Sequence, residues 1–328
     1  MSDTATLSRL FASIEPDLDA VDHLFRERAT SSVTRLNDAS IHVLGSQGKR
    51  LRTALTLLIG KLIGYKPERL IPLSAGFEML HLASLVHDDI IDRAATRRGL
   101  ATTNARFGSD IALLLGDYYF AKTAGLIADV NDNRIDRLFS ETVATLVEGT
   151  ILEMLGAHHL DLSTEHYLDR ISRKTACLIA ACCKGGATVC GASDEVIEQL
   201  RLFGTNLGMA FQIIDDVLDY QGSEAILGKP AGNDLRQGMV TLPLIYALES
   251  SNNGHLAQVK EIVEDPAAHI DVVNEIVSWV NNGSALSAAL DEARRFAEEA
   301  RTILMTFPAS TDRDVLEEIV DFVLMRDR

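Results

Sequence analysis

The sequence predicts an all-α protein, and three observations predict it. Only seven prolines occur in 328 residues, and none lies between Pro72 and Pro230. Such a stretch is compatible with long uninterrupted helices. Within it, apolar residues recur at helical spacing, as at Leu80, Ala83, Val86, Ile90 and Ile91, while alternating strand-like segments are scarce.

Along the chain, helices are expected over 5–28, 31–45, 50–64, 70–93, 104–129, 134–157, 164–190, 194–221 and 240–250. Shorter ones follow over 254–264, 269–281, 284–306 and 311–326. The helix over 50–64 opens on Gly48-Lys49-Arg50-Leu51-Arg52, and the helix over 70–93 carries the apolar stripe. The helix over 194–221 ends on Phe211-Gln212-Ile213-Ile214 and the acidic residues that follow. Gly222 to Gly238 is the longest expected loop, placed to close over a ligand. No Gly/Ser-rich linker and no fixed repeat period divides the chain, so 1–328 reads as a single all-α domain.

The chain is 47% hydrophobic, enough to bury a large core. A formal charge of −16 and a pI near 5.0 argue against nucleic-acid binding through phosphate contacts. The start lacks a basic region followed by an apolar core, so no secretory signal is expected. No uncharged apolar run reaches the ~18 residues of a spanning helix, so no transmembrane segment is expected. Cys177, Cys182, Cys183 and Cys190 match no common zinc spacing and read as reduced core residues of a cytoplasmic protein.

Two copies of one acidic pattern dominate the chain: Asp88-Asp89-Ile90-Ile91-Asp92 and Asp215-Asp216-Val217-Leu218-Asp219. In a helix Asp88 and Asp92 share a face, as do Asp215 and Asp219. Carboxylates that close repel one another until a proton or a cation relieves them. A solvated acidic face is the plain alternative, but Leu82-Ala83-Ser84-Leu85-Val86 and Phe211-Gln212-Ile213-Ile214 are apolar flanks, and charges that end buried stripes need partners. An all-oxygen cluster favours Mg²⁺ over zinc, and Mg²⁺ commonly bridges carboxylates to phosphates. The pattern suggests a diphosphate held by metal between two facing helices.

Basic residues lie where a diphosphate reader needs them. Lys49 and Arg52 flank a helix start whose free N–H groups attract anions. Arg97 and Arg98 follow the first acidic motif, and guanidinium groups grip phosphate oxygens in a fork. Lys174 and Thr175 are a further candidate phosphate contact, and Lys229 stands ready to bring a charge from the loop. His81 lies two turns before Asp88 on roughly the same face, whereas His87 points elsewhere.

These residues, in order, resemble the trans-polyprenyl diphosphate synthases. The likeness runs through Gly48-Lys49-Arg50-Leu51-Arg52, His81 to Asp92, Arg97-Arg98-Gly99, Leu115-Gly116-Asp117, Lys174-Thr175, Phe211 to Asp219, Leu227-Gly228-Lys229-Pro230, Asp234 to Gly238 and Thr241-Leu242-Pro243. It covers about residues 40–250. The resemblance implies an all-α isoprenoid-synthase helical bundle around a deep central cavity, usually a homodimer, that condenses isopentenyl diphosphate with an allylic diphosphate. It implies that Asp88 and Asp92 hold Mg²⁺ on the allylic diphosphate with Asp89 in support, and that Asp215, with Asp216 and Asp219, supplies the facing metal contact. Lys49, Arg52, His81 and Arg98 would bind the isopentenyl diphosphate. Arg97, Lys174, Thr175, Gln212 and Lys229 would contact the allylic one.

Product length should depend on what lies beneath the first motif, because one helical turn of about 5.4 Å matches the reach of an isoprene unit. Ala83 and Ser84 are small where the resemblance puts an aromatic stop in short-chain members, with Phe77 and Leu80 deeper. A product longer than fifteen carbons is expected, a medium or long chain suited to a quinone tail. The rivals are a geranylgeranyl diphosphate synthase and a noncatalytic partner subunit of another synthase. A carboxylate-bridged di-iron bundle needs Glu-x-x-His patterns, and none is evident at the acidic clusters. The chain also departs from the family: Ser46-Gln47 stands where relatives carry another glycine, and Met239 where many carry lysine. Thr150 and Glu153 stand where a Glu and a Gln are common.

Overall fold

The computed structural model describes residues 3–45, 48–221, 231–251 and 254–326. The described chain is helical nearly throughout, as expected. In order it forms α1 (Asp3–Leu10), a 3₁₀ turn (Ala12–Ile14), α2 (Glu15–Ala29), α3 (Thr34–Leu44), α4 (Leu51–Ile63), α5 (Pro67–Ile91), β1 (Thr96–Arg97), β2 (Leu100–Ala101), α6 (Thr103–Phe107) and α7 (Ser109–Asp129). Then come α8 (Asn133–Gly156), α9 (Thr164–Ile171), a π turn (Ser172–Ala176), α10 (Cys177–Cys190) and α11 (Asp194–Gln221). The remainder is α12 (Asn233–Arg236), α13 (Leu242–Ser250), α14 (Leu256–Glu264), α15 (Ile270–Asn282), α16 (Ala285–Leu304) and α17 (Thr311–Met325).

Three expected helices are interrupted. The helix over 5–28 divides before α2 because Pro16 sits in its first turn and has no N–H to offer the preceding turn. The helix over 104–129 divides at Gly108, whose φ of 93° leaves the helical region. The helix over 164–190 widens into the π turn at 172–176. The β1–β2 hairpin and α12 were not anticipated. Lys229, and most of the loop expected over 222–238, fall outside the described residues.

By their internal contacts the residues group into two compact units. Unit 1 comprises Met1–Glu141, Ala181–Arg201 and Pro308–Leu316. Its core is α4 and α5, with Leu55, Leu57, Leu58, Ile59, Leu70, Leu73 and Phe77 fully buried. α5 and α7 are each long and apolar enough to cross a membrane by length and composition. Here they are core helices packed on one another: α7 brings Leu126 and Ile127 against Gly76 of α5, and Gly116 against His87. Unit 2 comprises Thr142–Ala180, Leu202–Phe307 and Glu317–Arg328. Its core includes Phe203, Leu207, Ile213, Leu244, Val259, Ile276 and Val280.

Candidate active site

In unit 1 the first acidic motif is the last turn of α5. The helix stops there because Arg93 takes a left-handed φ of 51° and the Ala94 N–H reaches back to the Asp89 carbonyl at 3.0 Å. The C-terminal end of a helix carries partial negative charge. Asp88 and Asp92 add carboxylates at that end, so the local field calls for a cation. Asp88 is half-buried and Asp92 exposed. Asp89 is buried and accepts from Arg97 Nε at 2.7 Å. Burial pushes its carboxyl up from the ordinary range, against the pull of Arg97.

The hairpin delivers both arginines. Arg98 and Gly99 both have positive φ, 51° and 77°, as a two-residue turn with the twist of the flanking strands requires. Arg97 thereby turns back to Asp89. Arg98 lies over Gly48, where a Cβ would come within 2.5 Å of its guanidinium. α4 starts next to Gly48, and Arg52 in its first turn donates to His81 Nε2 at 3.2 Å. Burial, then Arg52, Arg98 and Arg97, hold the His81 pKa well below the usual imidazole range, so the ring is neutral. Glu78, one turn before His81, accepts from Thr53 Oγ1 at 3.0 Å. Burial raises its pKa, opposed first by Arg52. Arg52 and Arg98 thus converge as a cationic pair around neutral His81, with the Glu78 carboxylate close by. Lys49 is half-buried beside them in sequence.

Of the four candidate tail-contacting residues, Phe77, Leu80 and Ala83 are wholly buried. Ala83 lies on the stripe of Gly76 and His87 that meets α7. Ser84 is half-buried and returns its hydroxyl to the His81 carbonyl at 2.8 Å.

In unit 2 the second acidic motif lies in the last two turns of α11. Asp216 is buried, accepting from Tyr167 Oη at 2.7 Å and Gln212 Nε2 at 2.8 Å. Burial pushes its carboxyl up to about 6, the two hydrogen bonds opposing the shift. Asp219 is buried too, with Oδ2 accepting the Asp234 N–H at 3.0 Å at the start of α12. Asp215 keeps its side chain 40% exposed and pairs with Arg326 Nη2 at 2.9 Å. Among the three, Asp215 is the carboxylate best placed to reach a ligand.

The π turn presents Lys174 and Thr175. Two glycines pinch it: a Cβ on Gly149 of α8 would stand 2.6 Å from the Lys174 nitrogen, and one on Gly208 of α11 would stand 2.6 Å from Ala176 Cα. Turns of this kind occur frequently at functional positions. Thr175 Oγ1 donates to Gln212 Oε1 at 2.8 Å, completing a chain Thr175–Gln212–Asp216–Tyr167. Lys174 pairs with Glu153 of α8.

Sequence reasoning missed Tyr167, Arg326 and Glu78. Glu78 carried a signal, a lone carboxylate between Phe77 and Met79 in an apolar run. Among the described residues no three His, Cys, Asp or Glu side chains form a ready-made metal cage. Asp88 and Asp92 within unit 1, and Asp215 within unit 2, are oxygen donors with accessible carboxylates, the donor type a hard divalent cation takes.

Residues 33–280 match the polyprenyl synthetase family. The chain is 34% identical over 323 residues to heptaprenyl diphosphate synthase component 2 of Geobacillus stearothermophilus, covering 98% of this chain and 99% of that one. Its fold is similar to a decaprenyl diphosphate synthase from Rhodobacter capsulatus, with a TM-score of 0.92 and 32% identity over 98% of this chain and 99% of the other. It is also similar to a polyprenyl synthase from Caulobacter crescentus, solved with calcium and isoprenyl diphosphate, with a TM-score of 0.94 and 33% identity over 98% of each chain. By sequence and by fold, this chain belongs to the polyprenyl synthetase family and is a prenyltransferase of the trans-polyprenyl diphosphate synthase type.

Proposed function

We propose that the chain condenses isopentenyl diphosphate with an allylic diphosphate, in the presence of Mg²⁺, to build a medium- or long-chain all-trans polyprenyl diphosphate suited to a quinone side chain. The observation that carries this reading is the convergence of Arg52, His81 and Arg98 on the face of α5 that also bears Asp88. Anion-binding and cation-binding groups one or two turns apart on a helix suit a substrate pair in which one diphosphate leaves and the other stays.

In this reading Lys49, Arg52 and Arg98 bind the isopentenyl diphosphate, and neutral His81 adds a hydrogen bond without further charge. Asp88 and Asp92, and on α11 Asp215 and Asp219, would hold Mg²⁺ for the allylic diphosphate, while Asp89 positions Arg97 and Asp216 positions Gln212. Lys174, Thr175, Gln212, Arg97 and Lys229 take its oxygens. Bound Mg²⁺ neutralises charge gathering on the departing diphosphate. The allylic C–O bond breaks with its electron pair going to that diphosphate. The isopentenyl double bond then supplies the pair for the new C–C bond, and a proton is lost to the diphosphate, restoring an alkene. Apolar walls keep water from the cation.

Ala83 and Ser84 support a product beyond fifteen carbons, and so do the heptaprenyl and decaprenyl activities named for two relatives. Val147, Ile151, Met154 and Leu155 of α8 are exposed apolar side chains and support a homodimer that covers them. The free cysteines support a cytoplasmic setting. The component label of the Geobacillus relative favours a second arrangement, in which the chain works with a partner subunit.

The test is purified protein with Mg²⁺, labelled isopentenyl diphosphate and allylic primers of several lengths, read by product chromatography. A product past twenty carbons is expected. A twenty-carbon end point would make it a geranylgeranyl diphosphate synthase. Turnover only after a second subunit is added would establish the two-component arrangement.

A further inference from the structure

Lys174 does not stand open to solvent: its ammonium is paired with Glu153, and the two side chains are 23% and 30% exposed. The pair follows from backbone geometry. Gly149 lets α8 approach the π turn more closely than any side chain would allow, and Glu153 stands one turn further along α8. Glu148 makes the matching contact with Arg173 at 2.7 Å. With Gly208 closing the other side, the π turn has little room to carry Lys174 away from α8.

A diphosphate that recruits Lys174 therefore meets a lysine already neutralised. It must draw the ammonium off Glu153, or bind beside a carboxylate of its own sign. Either route weakens anion binding, because a half-buried charge is screened less than an exposed one. We propose that Glu153 sets the affinity of the allylic-diphosphate subsite by competing with the diphosphate for Lys174. The proposal rests on the reading of Lys174 as an allylic-diphosphate contact. It makes Glu153 a positioning residue that acts through the lysine. A Gln at this position has the same size as Glu and cannot form the ion pair.

The experiment compares wild type, E153Q and E153D. The KM for a fifteen-carbon allylic diphosphate and the KM for isopentenyl diphosphate are measured in turnover. Binding of inorganic diphosphate with Mg²⁺ is measured by calorimetry, and a thermal melt checks the fold of each variant. E153Q is expected to lower the allylic KM and the diphosphate Kd roughly tenfold, the weight of about 1.4 kcal/mol, with the isopentenyl KM unmoved. E153D keeps the charge and is expected to stay near wild type. An E153Q affinity that is unchanged or weaker overturns the proposal, as does an E153D that tightens binding as much as E153Q. If the wild type shows no prenyl transfer, the catalytic reading fails instead, while the calorimetric comparison still reads Glu153.

Discussion

The guanidinium of Arg326 lies 2.9 Å from the Asp215 carboxylate and 3.7 Å from the centre of the Phe211 ring. It also donates to the Phe211 carbonyl. Phe211 and Asp215 are four apart on α11, so one buried arginine just after α17 grips successive turns of the helix that bears the second acidic motif. Its side chain is 2% exposed. This arginine supplies positive charge at the carboxylate proposed above to hold a metal.

Removing that charge should cost stability in a metal-dependent way. Arg326→Gln leaves Asp215 without its counter-charge and empties a stacked position on Phe211. A loss of about 1–3 kcal/mol is expected, below the full penalty of a buried pair because Asp215 is partly solvated. Thermal melts with and without Mg²⁺ check it. The gap between wild type and variant should narrow when the ion is present, since the ion takes over neutralising Asp215. An equal gap in both buffers would mean that Asp215 binds no metal.

His81 gives a pH prediction. Its folded pKa is depressed, first by burial and then by the surrounding guanidinium groups. Below the unfolded value of about 6.5 the unfolded chain binds a proton that the folded chain refuses, so stability falls as pH drops from there. Above that value the contribution is complete. His81→Gln should flatten the dependence of urea midpoints on pH between about 7 and 5, and the isopentenyl KM of wild type should vary little from pH 6.5 to 8.

What was legible in the sequence was local. The acidic motifs and the basic start of α4 are strings of neighbouring residues, each on or beside a single helix, so helical spacing shows which of them share a face, while Arg97-Arg98 was legible only as a pair of basic neighbours. Tyr167 meets Asp216 across 49 residues and Arg326 meets Phe211 across 115, so tertiary packing, not periodicity, makes those contacts. The hairpin escaped because its strands have two residues each, too few for alternation, and its turn places an arginine at positive φ where Asn or Asp is the usual signal. The π turn escaped because Ser172–Ala176 has a helical composition; the close approaches of Gly149 and Gly208 accompany it.

The two small residues beneath the first motif should separate by experiment. Ser84 is half-buried, while Ala83 is sealed on the stripe that meets α7. Ser84→Phe should shift the product toward fifteen carbons with little change in melting temperature. Ala83→Phe should shorten the product too, but overpacking against α7 should cost about 1–3 kcal/mol. Product chromatography beside melting curves reads both, and an unchanged product from a folded Ser84→Phe would place the tail elsewhere.

Asp92 exposes the tension between stability and metal binding most directly. It is the C-cap of α5, four residues from Asp88, where the helix end is already negative. In metal-free buffer Asp92→Asn should therefore raise stability, by about 0.3–1 kcal/mol, through relief of like-charge repulsion. Added Mg²⁺ with diphosphate should stabilise the wild type by mass action and the variant far less, because the variant lacks one of the carboxylates proposed to hold the ion. Turnover should fall by roughly a hundredfold or more, as when one charge-stabilising contact is removed. A variant that is less stable than wild type without metal, yet keeps its Mg²⁺ response, would show that Asp92 serves the fold and not the ion.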